Sequence, residues 1–214
     1  NLYLGNTKYD NMLSESEIYK KFNLNSNNKH VLLFFPKKKF RKTLPIKRNE
    51  LEKIYEYLKK MRYTIIVKAR PKELEQHGSN DIRVDGKLKG DKLVVSEIYP
   101  NESVELLKIC KFCVLFSSSA VEETIMTGTP TIDLVSDNDK ATIGGKVQRL
   151  KFLYNPQCIK KCTNWQNLTY KNFKRECSDL GNKNDPIFKE LQQKYLFSGN
   201  ISEKLVEHCL KLKK

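Results

Sequence analysis

The chain has 214 residues, and 39% of them are hydrophobic, which allows a packed core in one large domain or in two small ones. The 40 basic and 25 acidic residues give a net charge of +15, which favours anionic partners, although scattered Lys and Asn residues are equally typical of an AT-rich genome. The sequence has no secretory leader pattern and no apolar run of about 18 residues, so we expect a cytoplasmic protein without a membrane-spanning segment.

The amino-terminal part of the sequence is polar and rich in Asn. We interpret residues 1–29, with one helical stretch around Glu15–Phe22, as a lead-in from a missing N-terminal domain, since the first residue is Asn rather than Met. A regular pattern begins at His30, and residues 30–198 are predicted to form the main domain. Residues 199–214 are predicted to form a C-terminal helix with one apolar stripe.

Short apolar runs alternate with helical patterns through the middle of the chain. Val31–Phe35, which Pro36 ends, is typical of a strand that is buried on both faces. The remaining predicted elements are a helix at Lys47–Arg62, a strand at Tyr63–Val67, a polar loop over 69–91, a strand at Leu93–Val95, a helix at Asn101–Cys110, a strand at Phe112–Phe116, a helix at Ser119–Thr127 and a strand at Thr131–Val135. This alternation predicts an α/β fold, a doubly wound, Rossmann-like parallel sheet of about five strands.

The pattern weakens after residue 136. Val147–Tyr154 fits either a strand or a helix. Two helical segments are predicted in the tail, at 186–196 and 201–213, and the second carries an apolar stripe that includes Val206 and Leu210.

Six cysteines lie in the second half of the chain, at positions 110, 113, 158, 162, 177 and 209. Without a secretory leader, we interpret them as reduced, buried thiols. The pairs Cys110/Cys113 and Cys158/Cys162 have spacings that are compatible with zinc ligands. However, Cys113 opens an apolar run and Cys110 closes a helical pattern, which are positions of core residues, so we predict no metal.

Three consecutive serines, Ser117, Ser118 and Ser119, follow the predicted strand Phe112–Phe116 and open a helix. Ligands bind beyond the carboxyl ends of parallel strands, and the first backbone N–H groups of a helix attract phosphate. Small hydroxyl side chains let an anion approach the backbone and add hydrogen-bond donors. We therefore predict a phosphate-binding loop, although Ser119 and Glu122 also fit a capping box that needs no ligand.

Glu123 lies four residues beyond Ser119, on the same face of the predicted helix. Since like charges repel, its carboxylate is unsuited to phosphate, but it can accept hydrogen bonds from the two hydroxyls of a ribose. A capping box accounts for Ser119 and Glu122, but not for the run of three serines or for Glu123. The pattern therefore favours a nucleotide ligand over capping alone.

Two basic segments follow the first two predicted strands. One contains Lys39 and Arg41, and the other contains Lys68 and Arg70. Each segment alone is typical of a solvated loop, but the carboxyl ends of parallel strands meet at one edge of the sheet. At that edge, these cations can neutralise a pyrophosphate.

These motifs resemble, in order and spacing, the C-terminal, nucleotide-sugar-binding half of GT-B-fold glycosyltransferases and their relatives. Those relatives include the UDP-N-acetylglucosamine 2-epimerases and the CDP-glycerol glycerophosphotransferase type of polymer synthases. They carry a small-residue loop, a Glu and a Gly-x-Pro turn, which here are Ser117–Ser119, Glu123 and Gly128–Pro130. The resemblance implies that the loop binds the pyrophosphate, that Glu123 binds the ribose, and that Tyr99 and Pro100 lie near the base.

The resemblance implies an enzyme of polysaccharide biosynthesis that transfers a sugar from a nucleotide sugar to a glycan or other acceptor. It implies a UDP-sugar as the favoured donor and no metal or further cofactor. Arg70 stands where relatives usually carry His in a Lys-x-His-Pro turn, so a cation for phosphate is kept but a proton donor is lost. The catalytic base in this family usually comes from the first domain, so we expect this chain to bind donor but to be inactive alone.

Three other functions stay open at this point. A sugar-nucleotide epimerase has the same fold but needs acid–base residues from the missing half. A nucleic-acid-binding module would suit the net charge of +15, but the chain lacks basic motifs interleaved with aromatic residues, so we expect no nucleic acid partner. A non-catalytic binding module is the third, and the positive charge also admits a peripheral contact with an acidic membrane.

Overall fold

A six-stranded sheet forms the centre of the protein. The computed structural model describes residues 12–36, 46–71, 74, 82–96, 101–116, 118, 120–134, 158–193, 206 and 209–211. The strands are β1 (His30–Phe34), β2 (Thr64–Ala69), β3 (Lys92–Val95), β4 (Phe112–Leu115), β5 (Thr131–Leu134) and β6 (Ile159–Cys162). All neighbouring strands are parallel, and their order across the sheet is β3-β2-β1-β4-β5-β6.

Helices connect these strands and cover the sheet. The helices are α1 (Glu15–Phe22), α2 (Arg48–Lys60), α3 (Asn101–Ile109), α4 (Val121–Met126), α5 (Tyr170–Ser178) and α6 (Pro186–Leu191). Two short 3-10 helices lie at Gly86–Lys89 and Trp165–Asn167. Helix α2 connects β1 to β2, α3 connects β3 to β4, and α4 connects β4 to β5, which gives the crossovers that parallel strand pairing requires.

The sheet has a hydrophobic layer on each face because successive strand residues point to opposite sides. Leu33 and Val67 lie in one cluster, with the apolar faces of α2 and α5. Leu32 and Ile66 lie in the other, with α1, α3, α4 and α6. Because the strands are covered on both sides, they appear in the sequence as continuous apolar runs. The prediction of a doubly wound, Rossmann-like α/β fold is therefore confirmed.

One strand, β6, and one α-helix, α5, were not predicted from the sequence. Strand β6 reads Ile-Lys-Lys-Cys and buries only its two ends, because it is the edge of the sheet and its central lysines lie nearer to solvent. Helix α5 is polar over most of its surface and buries fully only Phe173. Both elements thus lack the long apolar pattern on which the prediction rested. The segment Val147–Tyr154 lies outside the described residues.

Helix α1 belongs to the segment that we interpreted as a lead-in, and it packs into the core. Ser14 and Glu17 form a capping box at its start, and Ile18 and Phe22 are buried against the sheet. The Lys21 ammonium donates to Glu105 on α3 at 2.6 Å. Residues 15–22 are thus packed as part of the folded unit, while the domain boundaries at residues 29/30 and 198/199 stay predictions.

Two predicted boundaries need correction. Strand β2 continues to Ala69, so the predicted polar loop starts later, and α4 begins at Val121 rather than at Ser119. Val206 and Leu210, which were predicted to lie on an apolar stripe, are exposed by 58% and 60% among the described residues. Within the described parts of the chain, no helix combines the length and apolar character needed to cross a membrane.

All six cysteines are free thiols, as predicted, but not all are buried. Cys110, Cys113, Cys158 and Cys162 are buried, whereas Cys177 is half-buried and Cys209 is exposed. Burial raises the pKa of the Cys110 thiol to about 12 and the pKa of the Cys162 thiol to about 11. Within the described residues, no group of three or more His, Cys, Asp or Glu side chains is arranged to hold a metal ion.

Candidate functional site

The strand order creates a topological switch point between β1 and β4. From β1 the chain winds through α2 towards β2 and β3, whereas from β4 it winds through α4 towards β5 and β6. Leu33 pairs with Val114 across this boundary, so the carboxyl ends of the two strands lie side by side. Ligands of doubly wound sheets bind in the crevice at such a point. The chain turns there at Phe35 and Pro36 after β1, and at Phe116 and Ser118 after β4.

Ser118 is the one predicted serine that the described residues include. Its hydroxyl oxygen accepts a hydrogen bond from the backbone N–H of Ala120 at 3.3 Å, and its carbonyl accepts one from Val121 at 3.4 Å. A serine hydroxyl that accepts in this way keeps its own proton for donation. The half-buried Ser118 side chain can therefore donate to an anion at the switch point while it holds the turn into α4.

The helix cap differs from the predicted capping box. The N-cap of α4 is Ala120, and no side chain caps the helix there. Because the N-cap is Ala120, the alternative interpretation of Ser119 and Glu122 as a capping box is wrong, and Ser119 itself lies outside the described residues. The local turn is held instead by the Ser118 hydroxyl.

Glu123 lies in the first turn of α4, where its side chain is only 1% exposed. It shares this region with Asp133 at the carboxyl end of β5, which is fully buried. Besides burial, the carboxylates of Asp133 and Glu123 help to raise the pKa of the Cys113 thiol on β4, so both groups lie near that thiol. The assignment of Glu123 to a ribose requires that its side chain turn outward from this cluster, and it stays a prediction.

Asp133 was not singled out in the sequence. The sequence feature that could have identified it is a carboxylate inside the apolar strand Thr-Ile-Asp-Leu. In the structure, Asp133 pairs with Leu115 of β4. A fully buried acid costs free energy unless it is paired, so acids of this kind are concentrated at functional sites. The structure thus places a second carboxylate beside Glu123, one strand away from the switch point.

Lys68 lies near the carboxyl end of β2 and is 6% exposed. Its ammonium donates to the carbonyl of Ser96 at 3.2 Å and lies 3.6 Å from a carboxylate oxygen of Glu102 in the first turn of α3. Glu102 therefore holds the Lys68 ammonium at the carboxyl end of the strands, where the sequence predicted this cation to lie. Sequence reasoning did not pair the two residues. Arg70 follows directly after β2 and is half-buried.

Trp165, the single Trp of the sequence, packs beside the switch point. Its ring meets the ring of Phe116 edge to face, with 5.6 Å between the ring centres, and the residue is fully buried. The indole N–H has no hydrogen-bond partner in the described part of the chain. Sequence reasoning missed this residue because it follows the unpredicted strand β6.

The Gly128–Pro130 turn lies at the opposite, amino-terminal edge of the sheet, where α4 leads into β5. Gly128 has φ +62°, and the Thr129 hydroxyl donates to the carbonyl of Leu107 at the end of α3 at 2.9 Å. The turn therefore fixes α4 against α3 and lies away from the switch point. It shapes the site only through the helix that it anchors.

The remaining predicted site residues are not among those that the structure describes. They are Lys39, Arg41, Tyr99, Pro100, Ser117 and Ser119. Their assignment to the site stays a prediction, carried by their positions after strands β1, β3 and β4.

Comparison with solved structures shows a fold shared with GT-B glycosyltransferases. Sucrose-phosphate synthase from Thermosynechococcus elongatus matches 97% of this chain with 16% identity and a TM-score of 0.55, over 51% of its own length. E. coli ADP-heptose lipopolysaccharide heptosyltransferase II matches 78% with 14% identity and a TM-score of 0.52, also over 51% of its length. The wall teichoic acid polymerase TagF matches 93% with 16% identity and a TM-score of 0.50, over 47% of its length.

These likenesses show the fold, and the chain spans about half the length of the structures it matches. No family model and no curated protein matches the sequence.

Proposed function

We propose that this chain is the nucleotide-sugar-binding domain of a GT-B-type glycosyltransferase. One observation carries the proposal. The Ser118 turn follows β4 at the topological switch point, beside the end of β1, in a sheet whose fold is shared with glycosyltransferases. In this reading, the carboxyl edge of the sheet holds the diphosphate, and a second domain supplies the acceptor site and the catalytic base.

The reaction proposed is displacement at the anomeric carbon of the donor sugar. The oxygen of an acceptor hydroxyl bonds to the anomeric carbon and its proton passes to the base of the second domain, while the bond to the diphosphate oxygen breaks and the nucleoside diphosphate leaves. The residues of this chain bind and orient the donor and stabilise the negative charge on the leaving diphosphate. Ser118 donates its hydroxyl proton to a phosphate oxygen, while the Lys68 ammonium and the Arg70 guanidinium offer further hydrogen-bond donors at the same edge without a metal ion.

A direct binding experiment tests this proposal. We expect calorimetry or ligand-observed NMR with UDP-, GDP-, CDP- and dTDP-sugars to detect binding of at least one donor, with a UDP-sugar favoured. Ser118→Ala should weaken that binding, whereas Ser26→Ala, at an exposed serine in the turn before β1 on the amino-terminal side of the sheet, should leave it unchanged. A failure of all donors to bind at millimolar concentration would overturn the proposal.

A further inference from the structure

A second cleft lies between the end of α2 and one side of α5, at the amino-terminal edge of the sheet. This is the edge opposite to the proposed donor site, because Tyr63 directly precedes β2. The cavity has a volume of about 290 Å³. Residues that line it and bear on its chemistry are Lys60, Arg62, Tyr63, Tyr170, Lys174 and Cys177.

The polar lining of this cleft is positively charged. Lys60, Arg62 and Lys174 are all exposed, and within the described residues none of them has a carboxylate within ion-pair distance. The nearby acids are already engaged, because Lys160 lies 2.9 Å from Glu176 and 3.2 Å from Asp179. Three uncompensated positive charges around one cavity create a potential that attracts an anion.

Aromatic rings form the uncharged part of the cleft. The ammonium of Lys60 lies 5.5 Å from the centre of the Tyr170 ring, and Tyr170 packs edge to face on Tyr57. Tyr63 is anchored edge to face on Phe112 of β4. Burial raises the pKa of Tyr63, so its phenol stays neutral and can donate a hydrogen bond. The rings thus give the basic cleft rigid walls.

Arg62 occupies a backbone position that favours glycine. It has φ +62°, and it follows α2 in a Schellman-type turn in which Arg62 N–H donates to Lys59 and Tyr63 N–H donates to Leu58. The other described non-glycine residues with positive φ are all Asn, which tolerates this conformation. An arginine here carries a steric cost that glycine or asparagine would avoid.

Helix capping alone explains only part of this arrangement. Cations in the last turn of a helix interact favourably with its dipole, which accounts for Lys60 on α2. It does not account for Arg62, because glycine at that position would cap α2 better. Residues that adopt a strained backbone conformation in spite of its steric cost are concentrated at functional sites. The Arg62 guanidinium lines the same cleft as Lys60 and Lys174.

We propose that the cleft between the end of α2 and α5 binds the phosphate group of an anionic ligand, and that Arg62 is the main phosphate-binding residue. The planar guanidinium can donate two hydrogen bonds to a phosphate, while Lys60 and Lys174 contribute charge from either side. Burial raises the pKa of the Cys177 thiol, so this group adds no negative charge to the cleft. The site is separate from the proposed donor site and does not depend on it.

Amide NMR spectra during titration with inorganic phosphate locate the site directly. We expect shifts at Arg62, Tyr170 and Lys174 that saturate independently of any shifts near Lys68 and Ser118. Shifts confined to the carboxyl edge of the sheet, or none at all, would overturn the proposal. Lys189→Ala, which removes an exposed charge on α6, should leave the titration at the cleft unchanged.

Arg62→Gly separates a binding role from a structural one. Because glycine suits the positive φ, we expect the urea midpoint of unfolding to rise or stay constant, while phosphate affinity at the cleft falls roughly ten-fold or more. Arg62→Asn should behave in the same way. A variant that keeps wild-type affinity would overturn the proposal.

An experiment with lipid vesicles distinguishes two sources of the phosphate group, a lipid headgroup and a soluble phosphate ester. Co-sedimentation with phosphatidylglycerol vesicles, compared with phosphatidylcholine vesicles, tests a lipid headgroup as the source. Binding that Arg62→Gly abolishes identifies a lipid headgroup, whereas a response to phosphate without vesicle binding identifies a soluble phosphate ester. Binding to neither probe contradicts the inference.

Discussion

Lys68 on β2 and Glu102 on α3 form a partly buried ion pair, with 3.6 Å between the ammonium nitrogen and a carboxylate oxygen. The lysine side chain is 6% exposed and the glutamate side chain 23% exposed. A charge that is removed from water to this extent must be paired or neutralised. The pair therefore ties the start of α3 to the carboxyl edge of the sheet, where the donor is proposed to bind.

Lys68→Met should lower the free energy of unfolding by about 1–3 kcal/mol, because it leaves Glu102 partly buried beside an apolar side chain. Lys68→Met combined with Glu102→Gln should lose less than the sum of the two single changes, since no charge is then left without its partner. Urea denaturation of the four proteins measures the coupling. Strict additivity would show that the pair contributes nothing.

Glu123→Ala should weaken nucleotide binding, because it removes the carboxylate that is proposed to accept hydrogen bonds from the ribose. A hydrogen bond to a charged group contributes about 1.5–3 kcal/mol, which corresponds to a loss of roughly 10–100-fold in affinity for UDP. The wild-type protein should prefer UDP to 2′-deoxy-UDP, and the variant should lose this preference. Calorimetry with both ligands measures it. Glu122→Ala, one residue earlier on α4, is the matched control, and an unchanged preference in Glu123→Ala would reject the proposed ribose contact.

The sheet was predictable from sequence because its central strands bury both faces. Runs such as Val31–Phe35 reveal such strands without any knowledge of the tertiary contacts. The edge strand β6 was missed because its lysines face solvent, and α5 because Phe173 alone is fully buried. Local patterns cannot show which residues meet across the sheet, so the Lys68–Glu102 pair and the Asp133 position emerged only from the fold.

Gly128→Ala should destabilise the fold more than Gly86→Ala. Both glycines have positive φ, at +62° and +47°, so each alanine carries a conformational cost of about 1 kcal/mol. A Cβ at Gly128 would also lie 2.4 Å from the side-chain oxygen of Asn184, whereas at Gly86 the nearest atom is 3.4 Å away on Arg48. We therefore expect a total loss of about 2–4 kcal/mol for Gly128→Ala in urea denaturation. Equal losses in the free energy of unfolding for the two variants would mean that the Asn184 side chain moves aside without a measurable cost.

Cys110→Ala should reduce the loss of stability at alkaline pH. Burial raises the pKa of this thiol from its ordinary value of 9.0 to about 12. The folded protein therefore holds the proton more tightly than the unfolded chain. This contribution to stability is fully present below pH 9.0 and is lost as the pH rises towards about 12, at about 1.4 kcal/mol per pH unit.

The test compares how the free energy of unfolding changes with pH in the wild type and in Cys110→Ala, from urea curves at about pH 8, 9.5 and 10.5. Removing the buried sulfur leaves a small cavity, which lowers the stability equally at every pH and so leaves the slope unaffected. The variant should therefore show a shallower decline above pH 9.0, the ordinary pKa of the thiol. Parallel curves would show that Cys110 ionises alike in the folded and unfolded chains, in conflict with its burial at the end of α3.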